Sequence, residues 1–293
     1  MTAAAQPSVA IVGTGRMGGA MARRLRASGQ RVVLYNRTPG RAAHVAADIG
    51  ASLATTARGA ASCDIVLVSL SDDAALEHVY SGPEGLLAGL RPGTVVLETS
   101  TVDPETVRGL APQVEEHSAT LLDAPVSGSV QLVERGELTF MVGGDSDALD
   151  RVRPVLDLLA ARVFHLGPVG TGATMKLAVN SIVHGLNQAL SESLVLAEKA
   201  GLPREAAYEV FAASAIGAPF VQYKRAAFEH PRDAPVAFML DLVAKDLELI
   251  DALAQRVGAR MDQLAANRGV VRDALAAGLG DADMSALAIL LRD

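Results

Sequence analysis

Gly13-Thr14-Gly15-Arg16-Met17-Gly18 has the spacing G-x-G-x-x-G. Between a strand and a helix, glycines at these positions permit a tight turn, close approach of the backbone to a pyrophosphate, and close helix packing. An isolated match can merely end a strand. Here the apolar run Ser8 to Val12 precedes it and the helix-forming stretch Met17 to Ala27 follows, and that order points to a dinucleotide site. The next apolar run closes on Tyr35-Asn36-Arg37-Thr38, without the Asp or Glu that would bind a ribose 2′-hydroxyl. Arg37 can instead pair with a 2′-phosphate, helped by Asn36, Thr38 and Arg41; the other reading is a solvated arginine at a strand end. The residues favour NADP(H) and leave NAD(H) open. Further on, Lys176 and Asn180 stand four residues apart after Gly170-Thr171-Gly172, so they share one face near a helix start. His184, Asn187 and Ser191 continue this polar stripe on an apolar helix, a pattern that also fits a face turned to solvent or to a subunit interface. For His184 taken alone, a packed core histidine is the preferred reading.

Other chemistries lack their parts. None of the six histidines lies in an H-E-x-x-H or comparable pair, and Cys63 is the only cysteine, so no intrachain disulfide and no Cys-rich metal site can form. There is no G-x-S-x-G elbow and no Walker loop. Metal-free hydride chemistry is what remains. The net charge of −7, with no Lys/Arg cluster, argues against a nucleic-acid partner but allows a small anion in a local basic pocket. No run of about 18 apolar residues suggests a membrane span, and Met1 to Pro7 lacks the features of a signal peptide. A cytoplasmic protein without membrane partners is expected.

The chain must supply elements that hold these groups. Hydrophobic residues make up 50% but aromatics only 3%, so Ala, Val and Leu build the core, as suits parallel strands packed by helices. Strands are expected at Ser8–Val12, Arg31–Tyr35, Ile65–Leu70, Thr94–Leu97, Thr120–Leu122, Thr139–Val142 and Val163–Leu166. Between them lie helical stretches over Met17–Ala27, Pro39–Ile49, Asp73–Tyr80, Pro104–His117 and Ser146–Ala160. Alternation of this kind demands crossovers and predicts an α/β, doubly wound, largely parallel sheet. Beyond Gly167-Pro168 only helical periodicity remains, beginning with one long helix from Gly172 to Ala200 that Gly201 and Pro203 end. The expected division is a Rossmann domain over 1–166, then the long interdomain helix and an all-α C-terminal domain over 167–293 for substrate binding and oligomerisation.

Later motifs make the chain resemble the β-hydroxyacid dehydrogenase family, which includes 3-hydroxyisobutyrate dehydrogenases and tartronate, glyoxylate and succinic semialdehyde reductases. The resemblance covers nearly the whole chain. Its most specific block runs from Asp123-Ala124-Pro125-Val126-Ser127-Gly128-Ser129 to Met141-Val142-Gly143-Gly144. It implies that Ser127, Gly128 and Ser129 bind the substrate carboxylate. Serine hydroxyls and loop N–H groups suit an anion, although a serine there can also be only a helix cap. Gly170 to Asn180 resembles the family's catalytic motif, which makes Lys176 the proton donor and Asn180 its companion. Lys245-Asp246-Leu247 matches a segment whose lysine lies near the cofactor, while a Lys-Asp pair by itself is usually a solvated helix face. Leu70, Ser71 and Thr101 fall where the family contacts nicotinamide and ribose, with Ser71 replacing a frequent proline.

The resemblance therefore implies reversible hydride transfer between NADP(H), or NAD(H), and a small hydroxy acid or aldehyde acid held between the domains of a homodimer or homotetramer. Two rivals stand beside it. Imine reductases share the architecture, the phosphate loop and an Asn-Arg-Thr segment but generally lack a lysine matching Lys176. A non-catalytic dinucleotide-binding regulator would keep the glycines without needing Lys176.

Overall fold

A computed structural model describes residues 6–231 and 234–292 of the 293-residue chain. Most of the amino-terminal stretch read above for targeting, Met1 to Ala5, lies outside the described residues. The first half alternates strand and helix, with β3 and α3 added to the expected elements: β1 (Val9–Val12), α1 (Arg16–Ala27), β2 (Val32–Tyr35), α2 (Pro39–Ile49), β3 (Ser52–Leu53), α3 (Ala57–Ala60), β4 (Ile65–Val68), α4 (Asp73–Tyr80), β5 (Val95–Glu98), α5 (Pro104–Glu115) and β6 (Thr120–Asp123). These six strands form one parallel sheet in the order β3-β2-β1-β4-β5-β6, the doubly wound arrangement in which the strand order switches sides between β1 and β4.

The sheet is covered on both faces, which is why its strands are apolar throughout instead of alternating. Val9, Ile11, Leu34, Leu67 and Leu97 point to one side, where Met21 and Leu25 of α1 and Val45 of α2 meet them. Ala10, Val12, Val66, Val68 and Val96 point to the other, against Leu76 of α4 and Val107 and Val114 of α5.

Three later strands depart from expectation. β7 (Val126–Ser127), β8 (Leu138–Val142) and β9 (Ala160–His165) form a separate three-stranded sheet, with β7 antiparallel and β9 parallel to β8. Periodicity marks a strand but not its neighbour, so the sequence alone merges the two sheets. Between β7 and β8 lies a short helix, α6 (Val130–Arg135), and α7 (Ser146–Leu156) stops four residues short of its expected end because Ala160 already belongs to β9.

α8 (Thr171–Lys199) is the long helix; it ends at Gly201, which takes the left-handed conformation (φ 92°) that a glycine tolerates. After it come α9 (Arg204–Ala213), α10 (Pro219–Glu229), α11 (Leu240–Val257), α12 (Asp262–Ala276) and α13 (Leu287–Leu290). The chain clusters into two compact units, Met1–Lys176 and Leu177–Asp293. The first turn of α8 goes with the first unit because Ala173 packs in that unit's core. The second unit has its own core of Leu190, Leu194, Tyr208, Phe220, Phe228 and Leu247 among others. Within it Lys224 and Asp283 form a buried ion pair, Nζ to the two carboxylate oxygens at 2.7 and 2.8 Å. Asp283 also accepts the backbone N–H groups of Ala237, Phe238 and Ser285, so every lone pair of the buried carboxylate is engaged.

Candidate functional site

The loop after β1, beside the point where the strand order switches sides, sets the first part of the site. Gly13 sits in the left-handed region (φ 94°), and a Cβ there would strike the Ser69 carbonyl oxygen; one at Gly18 would strike that of Gly13. Neither position admits a side chain. Gly15 differs, since nothing lies within 4 Å of where its Cβ would stand. Room is thus left over the start of α1, whose first amides have no side-chain cap and point their positive end outward. Arg16 is exposed beside this space, while Met17 turns back toward the core. Thr14 is buried, and its Oγ1 finds no hydrogen-bond partner among the described residues.

Asn36 has a role the sequence does not reveal. Its Oδ1 accepts the Thr14 N–H at 3.0 Å and its Nδ2 donates to the Thr38 carbonyl at 3.1 Å, so this side chain ties the glycine loop to the end of β2. Arg37, Thr38 and Arg41 stand exposed at the same strand end, with no carboxylate following β2. These features fit a dinucleotide: glycines where backbone must approach and uncapped amides for pyrophosphate.

Leu70 and Ser71 follow β4 and Thr101 follows β5, so all share the carboxyl edge of the parallel sheet with the glycine loop. The Leu70 N–H donates to Ser100 Oγ at 2.8 Å, the Ser71 hydroxyl to Asp72 Oδ2 at 2.6 Å, and Thr101 is half-buried.

β6 ends on the fully buried Asp123. Its Oδ1 accepts the Gly170 N–H at 2.9 Å and its Oδ2 the Ala173 N–H at 2.7 Å, which pins the first turn of α8. Burial pushes this carboxyl up, and the N–H bonds from Ala173 and Gly170 pull against that. Gly143 and Gly172 are matters of space: a Cβ at Gly143 would strike Asp123 Oδ1, and one at Gly172 would meet the Asp123 carbonyl oxygen at 2.6 Å. Lys176 follows on the next turn, half-buried.

In the proposed carboxylate loop Ser127 closes β7, Gly128 adopts φ 144° and Ser129 precedes α6. Ser129 occupies the capping position, yet its side chain caps nothing; its Oγ is buried and finds no hydrogen-bond partner among the described residues. A pure capping role is thereby excluded for Ser129. An orphaned buried hydroxyl calls for a ligand or water to satisfy it.

In the second unit the polar stripe of α8 turns inward, not to solvent: Asn180, His184, Asn187 and Ser191 are all buried. Asn187 Nδ2 bonds the Met284 carbonyl, Ser191 Oγ bonds the Asn187 carbonyl, and the first two residues converge on α11. There Asp246 Oδ2 accepts Asn180 Nδ2 at 2.7 Å and faces His184 Nε2 at 3.3 Å, while Oδ1 lies 3.0 Å from Lys245 Nζ. Asp246 is 1% exposed, so Lys245-Asp246 is no solvated pair. Sequence reasoning overlooked Asp246 as the hub, although it falls between Val243 and Ile250 on the apolar face of α11, a placement that marks a buried carboxylate. Glu98 and Tyr80, joined by a hydrogen bond behind the β5 end, also escaped notice. Among the described residues no cluster of His, Cys, Asp and Glu could hold a metal, and no helix is long and apolar enough to cross a membrane.

Comparisons with known proteins agree with this layout. Residues 8–167 match the family described as the NAD binding domain of 6-phosphogluconate dehydrogenase, and residues 170–291 that described as NAD-binding of NADP-dependent 3-hydroxyisobutyrate dehydrogenase. The chain is 32% identical over 281 residues to glyoxylate/succinic semialdehyde reductase 2 of Arabidopsis thaliana, covering 96% of this chain and 78% of that protein. The solved structure of 3-hydroxyisobutyrate dehydrogenase (ygbJ) from Salmonella typhimurium matches with a TM-score of 0.89 and 26% identity, over 97% of this chain and all of that one. An imine reductase from Pseudomonas sp. matches less well, with a TM-score of 0.66 and 25% identity over 97% of this chain and 99% of that one.

Proposed function

We propose, from the premise that this chain belongs to the β-hydroxyacid dehydrogenase family, that it interconverts a small hydroxy acid and the corresponding aldehyde acid, in the manner of a 3-hydroxyisobutyrate dehydrogenase or semialdehyde reductase. The observation that carries this reading is the Asp123 anchor, which fixes Gly170 and Ala173 and so presents Lys176 on a rigid turn. Residues 1–166 act as the nucleotide domain and 167–293 as the domain for substrate and assembly. Gly13 to Gly18 hold the pyrophosphate, Arg37 and Thr38 the adenosine end, Leu70, Ser71 and Thr101 the nicotinamide and ribose, and Lys245 lies near the cofactor. When bound, the nicotinamide supplies or takes up a hydride at C4. Ser127, Gly128 and Ser129 bind the substrate carboxylate through hydroxyls and backbone N–H, with Ser129 Oγ gaining the acceptor it lacks. Lys176 Nζ delivers a proton to the carbonyl oxygen during reduction and removes it during oxidation. Asn180, held by Asp246, orients the reacting oxygen. A screen of glyoxylate, succinic semialdehyde, tartronate semialdehyde and 3-hydroxyisobutyrate with NADPH and NADH tests the reading. Cofactor binding without turnover of any acid would favour a regulator, and turnover of cyclic imines an imine reductase.

NADPH is the preferred cofactor in this reading, because Arg37 stands where an acid would select NADH. Arg37→Asp should lower the NADPH-to-NADH ratio of kcat/KM by about 10- to 100-fold, the worth of a charge-assisted hydrogen bond. An unchanged ratio would remove Arg37 from the 2′-phosphate site.

The functional form is a homodimer or homotetramer. Met175, Ile182 and Leu196 of α8 are large apolar side chains left exposed at seven-residue multiples, and Val210 of α9 is exposed as well. Light scattering at micromolar concentration should give a multiple of 30.3 kDa, and a single 30.3 kDa species would reject assembly.

A further inference from the structure

Glu98, the last residue of β5, is a carboxylate with almost no solvent contact. The Tyr80 phenol of α4 donates to its Oε2 at 3.0 Å and the Ser100 backbone N–H donates to its Oε1 at 2.9 Å. The Ser100 hydroxyl bonds the same carboxyl and in turn accepts the Leu70 N–H at 2.8 Å. One continuous chain of hydrogen bonds therefore runs from α4 through the end of β5 to the end of β4. The titratable groups that face Glu98 are Tyr80 and, from the neighbouring strand and directly opposite in register, Asp123. Neither is a cation. Burial pushes the Glu98 carboxyl up to about 7, against the pull of Ser100 and Tyr80.

We propose that Glu98 is a positioning residue for the nicotinamide end of the site: it holds the Leu70 and Thr101 segments in place, and in its ionised form it favours the oxidised, cationic nicotinamide over the reduced, neutral one. The inference rests on the cofactor placement given under the proposed function. Its physical basis is that a carboxylate with no cation bonded to it among the described residues, in a poorly screened interior, acts strongly on nearby charge.

The test is to measure Kd for NADP⁺ and NADPH by calorimetric titration from about pH 5.5 to 8.5, spanning the titration of such a carboxyl, and to follow their ratio. The ratio cancels the titration of the 2′-phosphate, which both forms carry. For the unaltered protein, Kd(NADPH)/Kd(NADP⁺) should rise roughly three- to tenfold as pH passes about 7, a coupling of up to one pKa unit. Glu98→Gln, with thermal unfolding confirming its fold, should give a flat ratio. Tyr80→Phe removes a donor to the carboxylate and should move the inflection to higher pH. A flat ratio in the unaltered protein, or an inflection that persists in Glu98→Gln, would overturn the proposal. Should Glu98→Gln fail to fold, an unmoved inflection in Tyr80→Phe overturns it instead. Failure of the unaltered protein to bind either form at any pH is a separate outcome, which rejects the nucleotide-binding reading and this inference with it.

Discussion

Replacing Lys176 by alanine should lower kcat by roughly 10²- to 10⁴-fold, the range for losing a positioned general acid, while leaving NADPH affinity nearly unchanged. The split between the two measurements follows from the chain's layout. The groups assigned to the pyrophosphate and adenosine end belong to the glycine loop and the end of β2, whereas Lys176 lies on α8 beyond the Asp123 anchor. Asn36 and the backbone at Ser69 shape the loop. Saturation kinetics of the purified variant, alongside a cofactor titration, read both quantities. A near-normal kcat with normal cofactor binding would move proton transfer to another group. A raised KM with unchanged kcat would make Lys176 a binding residue only.

Breaking the Lys224–Asp283 pair should have the largest effect on stability. Lys224→Ala leaves a buried carboxylate without its cation and should cost roughly 3–5 kcal/mol, the usual penalty for removing one member of a buried ion pair. Burial raises the Asp283 carboxyl, but the charge of Lys224 and the backbone N–H groups outweigh it and hold the group below its ordinary 3.8. The folded value is thus below the unfolded one. The associated stability is fully present above about pH 4 and is lost as pH falls through the depressed folded value. Urea unfolding across this acid range should show the unaltered protein losing stability faster than Lys224→Ala. Parallel acid limbs would mean that the pair contributes nothing. Replacing both residues by apolar ones should cost less than the sum of the single changes, because no charge is then stranded.

What the sequence discloses and what it conceals divide along the range of the interactions involved. The β1-loop-α1 unit is legible because a glycine motif, an apolar strand and a helical repeat lie within twenty residues of one another. The long helix is legible for the same reason, with Gly201 marking its end. Pairing is another matter: Phe140 and Val163 look like further members of the parallel sheet, whereas they lie in a separate sheet in which β7, a strand the sequence does not announce, runs antiparallel beside β8. Polar residues follow the same rule. Lys176 and Ser127 to Ser129 stand out because they sit in dense local motifs. Asn36, Glu98 and Asp246 do not, since each acts on groups that meet only after folding: Thr14 across 22 residues, Tyr80 across 18 and Asn180 across 66. Ser129 shows the converse, a serine whose sequence position is that of a cap and whose hydroxyl caps nothing.

The hold of Asp123 on Gly170 and Ala173 bears on how disorder can travel along α8. A helix usually frays from its ends, and its first amides are the easiest to lose. Here the amide of Ala173, and that of Gly170 just before the helix, are bonded to a carboxylate at the end of a buried strand, so the opening turn shares the fate of the sheet instead of that of the helix. Lys176, three residues past Ala173, thus follows directly on a turn tied to the sheet.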